Sequence, residues 1–424
     1  MHSHYIKIRY ICHMRRLLQI LLTFFLAAHL YGQQTVIYHN DIATVTISPG
    51  NDWRSLPIIP LREGPNIIIN FDQYGHDYHQ YQYKIEHCDA DWSVSEGLFP
   101  ADIADGFLED LDIKDVEKSI NTNILYTHYS FSVPNEQINL KLSGNYKVTV
   151  YRAYAPEEVA FECYFMVLDK KMSVRLSVQT NTDIDINHAH QQIEMRVKYG
   201  STAVSAPASQ IKTVVLQNRR WDNAVVNPRP QIVSQEGLTW QHNSALIFNG
   251  GNEYRKFEVL ATDHPTMGIK DIYWDGNITH AVLWTDEPRP NYNYAPSGNG
   301  AFIIRNSDNE AVYTTTDYVD VDFTLQTDQR ERPIYLNGYF SNDQFTPDYE
   351  MTYSPEDRLY HATVRLKQGY YSYQYLEKGP DGRMRPLASE GNFYQTGNQY
   401  QALIYYRSLN GRTDELVGYA DIQK

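Results

Sequence analysis

Cysteine is almost missing: Cys12, Cys88 and Cys163 are the only three in 424 residues. A small scaffold stapled by disulfides is excluded, because such folds need cysteine at high density. Basic charge is also short. Thirty-seven Lys and Arg stand against 51 Asp and Glu, a formal net charge of −14. Nucleic acid is excluded as a partner on that ground, since its binding rests on Lys and Arg neutralising phosphates. Beyond residue 30 no apolar run approaches the roughly 20 residues of a membrane-spanning helix, so no direct membrane span is expected. No G-x-S-x-G nucleophile elbow occurs. Asn249-Gly250-Gly251-Asn252-Glu253 has two glycines but neither the lysine nor the helix of a phosphate-cradling loop. Apolar residues at helical spacing are also absent from most of the chain.

What is present begins with a leader. Lys7, Arg9, Arg15 and Arg16 precede an apolar run from Leu17 to Leu30, and Tyr31-Gly32-Gln33-Gln34 returns to polarity. A basic start, a short apolar run and a small residue at its exit make the pattern of a cleaved secretory signal. Residues 1–32 are assigned to it. Their removal takes away four bases and no acids, which moves the net charge from −14 to −18.

Tyrosine is abundant, at 35 residues, and accompanies many Val, Ile and Thr. These side chains suit a pleated, half-buried surface. Strict alternation recurs in Tyr81-Gln82-Tyr83-Lys84-Ile85-Glu86, Tyr146-Lys147-Val148-Thr149-Val150 and Tyr370-Tyr371-Ser372-Tyr373-Gln374-Tyr375. Gly, Pro, Asn and Asp clusters bound these runs, as turns bound strands. The expected class is all-β, a tandem of immunoglobulin-like or fibronectin-like sandwiches. The expected units are 33–169, 170–330 and 331–424. Two of them share one logic, a glycine turn feeding a tyrosine-rich strand, at Gly144 and at Gly369. Ala101 to Ser119 is expected to be a long acidic loop with at most a turn or two of helix.

Reactive constellations are weak. His76, His79, His87 and Cys88 are zinc-ligand types, but strand alternation turns neighbours to opposite faces. Asp89 and Asp91 read as turn formers, with Trp92 re-entering the core after them. The eight acids of Glu96 to Glu117 lack the spacing of a calcium loop. His188 and His190 have no third ligand at a useful spacing. No metal or cofactor is expected. Cys88 and Cys163 flank strand-like runs and fit either one bridge or two buried thiols. Phe340 and Phe345 lie in a segment similar to a glycogen-binding module, which raises glycan binding as an alternative function.

Several segments taken in order resemble one family. They are Tyr83-Lys84-Ile85-Glu86-His87-Cys88-Asp89-Ala90-Asp91-Trp92, Ser119-Ile120-Asn121-Thr122, Tyr126-Thr127-His128-Tyr129, Leu142-Ser143-Gly144-Asn145-Tyr146, Gln217-Asn218-Arg219-Arg220-Trp221, Gly250-Gly251-Asn252-Glu253-Tyr254-Arg255, Asp317-Tyr318-Val319 and Tyr335-Leu336-Asn337-Gly338. The set resembles the type IX secretion system plug family of the Bacteroidetes across nearly all of the chain after the leader. The resemblance implies a monomeric, non-catalytic periplasmic protein on the inner side of the outer membrane. It would seal the periplasmic mouth of a large outer-membrane β-barrel translocon. Arg219, Arg220, Trp221, Tyr254 and Arg255 are of the residue types favoured at interface hot spots and are the expected barrel contacts.

Overall fold

The computed structural model describes residues 34–424; the expected signal segment, residues 1–32, lies outside them. The protein is all-β. Its helices among the described residues are single turns such as Pro100–Ile103, Pro207–Gln210 and Val312–Thr315. Three bodies form from six sheets.

In the first body a six-stranded sheet runs through Ala155–Leu168, Gly144–Arg152 and Tyr81–Cys88. It shares a core with a four-stranded sheet of Ile42–Pro49, Ile67–Tyr74, Tyr126–Val133 and Asp115–Lys118. Phe71 sits at the centre, stacked on Tyr129 at 4.9 Å and edge-on to Phe161 at 5.0 Å. The expected acidic loop is more structured than its composition suggests. It supplies the short strands Ala104–Gly106, Leu111–Asp112 and Asp115–Lys118, and Leu111 and Ile113 anchor it in the core. With Ile103 and Ala104 these make four buried apolar residues among many acids, and they suffice because backbone pairing does not depend on side-chain charge.

The second body is discontinuous. Its five-stranded sheet includes Ser173–Gln179 and His190–Lys198. The facing sheet pairs Ile211–Gln217 and Arg220–Val226 with the C-terminal strands Gln399–Tyr406 and Glu415–Gln423. That sheet is buried on both faces. Val215, Ile404 and Val417 enter the second core, while Val214, Leu216, Leu403 and Leu416 pack with Trp92, Tyr164 and Met166 of the first body. Alternation normally marks a sheet with one wet face; here both faces are dry, so the apolar runs are nearly continuous.

The third body is one ten-stranded sheet from Arg255–Val259 to the edge strand Ile269–Trp274. It curls over itself, bringing Phe257 to within 5.6 Å of Phe323 near its other end. The boundary expected near 330 falls between Tyr318–Leu325 and Ile334–Asn337, two strands of this single sheet. The expected C-terminal unit 331–424 is likewise divided between the second and third bodies. Polar linker composition at Gln329 to Pro333 marks a loop within a body, not a boundary between bodies.

The two glycine turns share one device. Tyr146 donates from its hydroxyl to the carbonyl of Leu142 at 2.6 Å, and Tyr371 to that of Lys367 at 2.5 Å. A Cβ on Gly144 would stand 2.4 Å from His87 Nε2, and one on Gly369 would stand 2.4 Å from the carbonyl oxygen of Ile303. Glycine is needed at both for close approach.

Cys88 and Cys163 are free and buried. Strand Gly144–Arg152 runs between theirs, Cys88 facing Asn145 and Cys163 facing Val148. Two strand spacings of about 4.8 Å each exceed the reach of a disulfide, so the bridge is ruled out. Burial pushes the Cys88 thiol up to about 12 and raises Cys163 as well. Native protein spanning 33–424 should show no thiol reaction with an aromatic disulfide reagent and two thiols per chain after denaturation. An intact bridge on non-reducing mass analysis would contradict this.

Candidate functional site

The expected barrel contacts turn out to be interior. Asn218 and Arg219 both adopt positive φ, 53° and 62°, and form the two-residue turn between Ile211–Gln217 and Arg220–Val226. Such a turn matches the strand twist. It delivers the Arg219 side chain into the joint of all three bodies. Its guanidinium donates to the carbonyl of Arg54 in the first body and to those of Gly298 and Asn299, at 3.0 and 3.3 Å, in the third. The Tyr339 ring lies 4.0 Å from it. Arg220 is buried against Asp222 at 2.5 Å, and half-buried Trp221 meets Trp92 edge-on at 5.4 Å. Tyr254 is buried and accepts from Gln374. Arg255 is clamped to Asp286 at 2.7 Å and to Glu390 at 2.7 and 3.0 Å. Arg219, Arg220, Tyr254 and Arg255 are thus corrected from barrel contacts to internal ties, and Trp221 is largely one too. Residue type marks affinity for desolvated pockets, and the interior of a three-body protein offers these as readily as an interface does.

Two further ties were not legible as sites. Asp72 and Lys367 meet at 2.6 Å, each 1% exposed, between the first and third bodies. His128 lies 2.7 Å from the same carboxylate, the Tyr318 hydroxyl donates to it at 2.7 Å, and the Lys367 ammonium lies 3.9 Å from the Tyr126 ring centre. The available signal was a lone acid within Ile67-Ile68-Ile69-Asn70-Phe71-Asp72. Between the first and second bodies, Arg407 bridges Asp89 at 2.6 Å and Asp414 at 2.9 Å. Thr413 and Ser95 also donate to Asp89, at 2.6 and 2.9 Å. Asp89 is therefore a joint residue rather than a simple turn former, whereas Asp91 does cap its own turn through Ser93 N–H at 3.2 Å. Trp92 is buried as expected.

Asp343 sits at the joint near Arg219, accepting from Asn337 at 2.9 Å. Burial, then the charge of Asp222, push its carboxyl up to about 6. A carboxyl that holds its proton more tightly when folded makes stability fall as pH rises, here between 3.8 and about 6. Asp343→Asn is expected to remove that slope and to stabilise at pH 7 by about 3 kcal/mol, with little difference at pH 4. Urea unfolding at both pH values checks it.

Phe340 and Phe345 form no sugar platform. Phe340 belongs to the third core and Phe345 packs edge-on against Tyr335 at 5.7 Å. His87 is buried, 2.9 Å from Ser95 Oγ and 3.1 Å from the Ser143 carbonyl.

The exposed aromatic surface lies elsewhere. Of six tryptophans, Trp274 is 52% exposed and Trp284 is 62% exposed; the others are buried or half-buried. Both belong to the hairpin at the free edge of the ten-stranded sheet. Trp274 closes Ile269–Trp274, and Trp284 follows Thr279–Leu283, its N–H donating to Gly268. Tyr273, also exposed, stacks on His280 at 4.8 Å. The edge backbone itself is guarded by a register shift between Ile269 and Asp271 and by Lys270 and Asp271. Bulges and charges of this kind discourage indiscriminate strand pairing.

Residues 42–169 match the family described as type 9 secretion system plug protein 1st domain. A solved structure of a hypothetical protein from Parabacteroides merdae ATCC 43184 is 34% identical, with a TM-score of 0.89 over 92% of this chain and 99% of that one. This chain belongs to the type IX secretion system plug family. No curated protein matches it. The match ends at residue 169, where the strand Ala155–Leu168 closes the first body. Within the plug family chain, the ties at Asp72, Asp89 and Arg219 each join this matched body to the rest.

Proposed function

We propose that this protein is a non-catalytic stopper that docks on the periplasmic mouth of the outer-membrane type IX barrel and seals it while no cargo is engaged. Family membership supports a role in type IX secretion. The observation that carries the docking surface is the pair of exposed tryptophans on one edge hairpin, in a chain whose other four tryptophans are buried or half-buried. Tryptophan anchors supply much of the energy of an interface when they enter a partner pocket. The three-way joint supports the sealing role, since charged ties between bodies hold their relative placement. Among the described residues, no helix is long and apolar enough to cross a membrane.

Deletion of the protein should make the outer membrane leak a large antibiotic, and only while the barrel is retained. Equal leakage without the barrel would sink the reading. Trp274→Ala and Trp284→Ala should each weaken co-purification with the barrel about tenfold, roughly 1.4 kcal/mol, while thermal stability stays within about 0.5 kcal/mol. Unchanged co-purification of the double variant would move the docking face elsewhere.

A further inference from the structure

A cleft runs between the first and third bodies. It consists of two adjoining cavities of about 340 Å³ each, which share Val45, Phe302 and Asn342 in their walls. Its geometry is unusual in one respect: consecutive residues of single strands line it. One wall is Ile42 to Ser48, and the other is Phe302 to Ile304 together with Thr363 to Lys367. Alternate side chains of a strand point to opposite faces, so a cavity touched by every residue in turn faces the strand's edge.

Those edges are free among the described residues. Ile42–Pro49 pairs only with Ile67–Tyr74. The bond from Gly50 N–H to Asn66 sets the phase of that ladder, so in antiparallel alternation the N–H and C=O of Ile47 turn away from the partner strand. Across the cleft, Ala301 and Arg305 bond the strand Gly369–Lys378 and its approach. That phase turns the backbone of Phe302 and Ile304 outward. Leu359–Lys367 pairs with Glu350–Ser354 only through residues 359–361, which leaves Thr363 and Arg365 open on that side. No backbone bond joins the two walls.

The cleft also contains a buried polar atom without a partner, Nε of Arg219. Its ionisable lining is slightly acidic, because Asp348 has no ion-pair partner among the described residues. Arg219 offsets Asp343, while Lys367 and Arg365 are already paired with Asp72 and Asp320. Such a lining suits a neutral occupant and disfavours an anionic lipid or a phosphate chain.

We propose that this cleft binds an extended, uncharged peptide segment of a partner protein, which adds as a β-strand along residues 46–49 and fills the two cavities with alternate apolar side chains. Strand addition takes affinity from main-chain hydrogen bonds and selectivity from pockets for alternate side chains, and both elements are present here. A register shift between Ala43 and Thr46, with Thr44 at positive φ, interrupts that edge, so backbone pairing is confined to residues 46–49, while a segment of about seven residues at about 3.4 Å each crosses both cavities. The reading does not depend on barrel docking, which uses the edge hairpin of residues 269–283, none of which line the cleft.

The test uses protein spanning 33–424 and a phage-displayed random heptapeptide library, counter-selected on Ile303→Trp, which fills the cleft. Enriched sequences should alternate apolar and polar residues. A synthetic copy of the best sequence should bind saturably, at least tenfold more weakly to Ile303→Trp and to Ile47→Pro. Ile47→Pro removes one outward N–H without touching the existing ladder. Methylating alternate backbone nitrogens of the peptide should cost at least tenfold in affinity. Amide exchange at Ile47, Phe302 and Ile304 should slow at least tenfold on binding. No enrichment over the blocked variant, equal binding of the methylated peptide, or preferential uptake of laurate would each overturn the proposal. If either variant fails to fold, peptide methylation and amide exchange on the unaltered protein decide the matter.

Discussion

Lys367→Met is expected to lower the unfolding free energy by about 3–5 kcal/mol, the cost of leaving a buried carboxylate without its charge partner. Lys367 and Asp72 are each 1% exposed and 2.6 Å apart, so water cannot take the place of the lost ammonium. Burial would raise the Asp72 carboxyl, but Lys367 and the His128 bond outweigh it and hold it below the usual aspartate range. A depressed carboxyl contributes stability that is present above its unfolded value near 3.8 and is lost as acid titrates it. Burial also pulls the Lys367 ammonium below its ordinary value, in spite of Asp72, so the lysine's own pH dependence falls on the alkaline limb and the acid limb reports Asp72. Asp72→Asn combined with Lys367→Met removes both charges while keeping an acceptor for Tyr318, and should recover more than half of the loss. Denaturant unfolding of the single and double variants at pH 7 and pH 3 measures this. A single variant within 1 kcal/mol of the parent would show that the pair is not buried in solution.

Arg255→Met is the second large effect, at about 3 kcal/mol. Glu390 is nearly fully buried and receives two hydrogen bonds from this guanidinium, and Asp286 receives a third. Burial already raises the Asp286 carboxyl, with Arg255 working against it and the hydroxyls of Tyr373 and Tyr375 donating at 2.7 Å. Without Arg255 the carboxyl rises further. A raised carboxyl destabilises increasingly as pH climbs past its unfolded value, so the deficit should grow from pH 4 to pH 7. Arg255→Lys should recover only part, because an ammonium cannot reproduce the two-pronged contact with Glu390. Barrel co-purification of any folded Arg255 variant should equal that of the parent. Weakened co-purification at full stability would return Arg255 to the docking face.

The same comparison explains what could be read from residues alone. Alternating Tyr, Val and Thr runs were legible as strands because side-chain period follows from backbone pleat without reference to partners. The glycine turns at Gly144 and Gly369 were legible for a similar local reason. The hot-spot residue types were not legible as to place. An arginine beside a tryptophan looks alike in sequence whether its pocket belongs to a partner or to another body of the same chain. Nothing in the residues around Trp274 and Trp284 marks them as exposed, because exposure is set by what covers a strand, not by the strand.

Composition and pattern by themselves determined the all-β class, the scarcity of basic charge, the lack of an apolar run of helix-spanning length beyond residue 30 and, through an ordered set of motifs, the family. Each is a property of local backbone preference or of a count, and these survive any arrangement of the strands. The tertiary structure alone decided that the C-terminal strands return to the second body, that Cys88 and Cys163 stand a strand apart, and that Asp72 meets Lys367 across 295 residues of chain. Sheet pairing joins distant segments through backbone groups that are the same at every residue, so the sequence carries little record of which strand will be the neighbour.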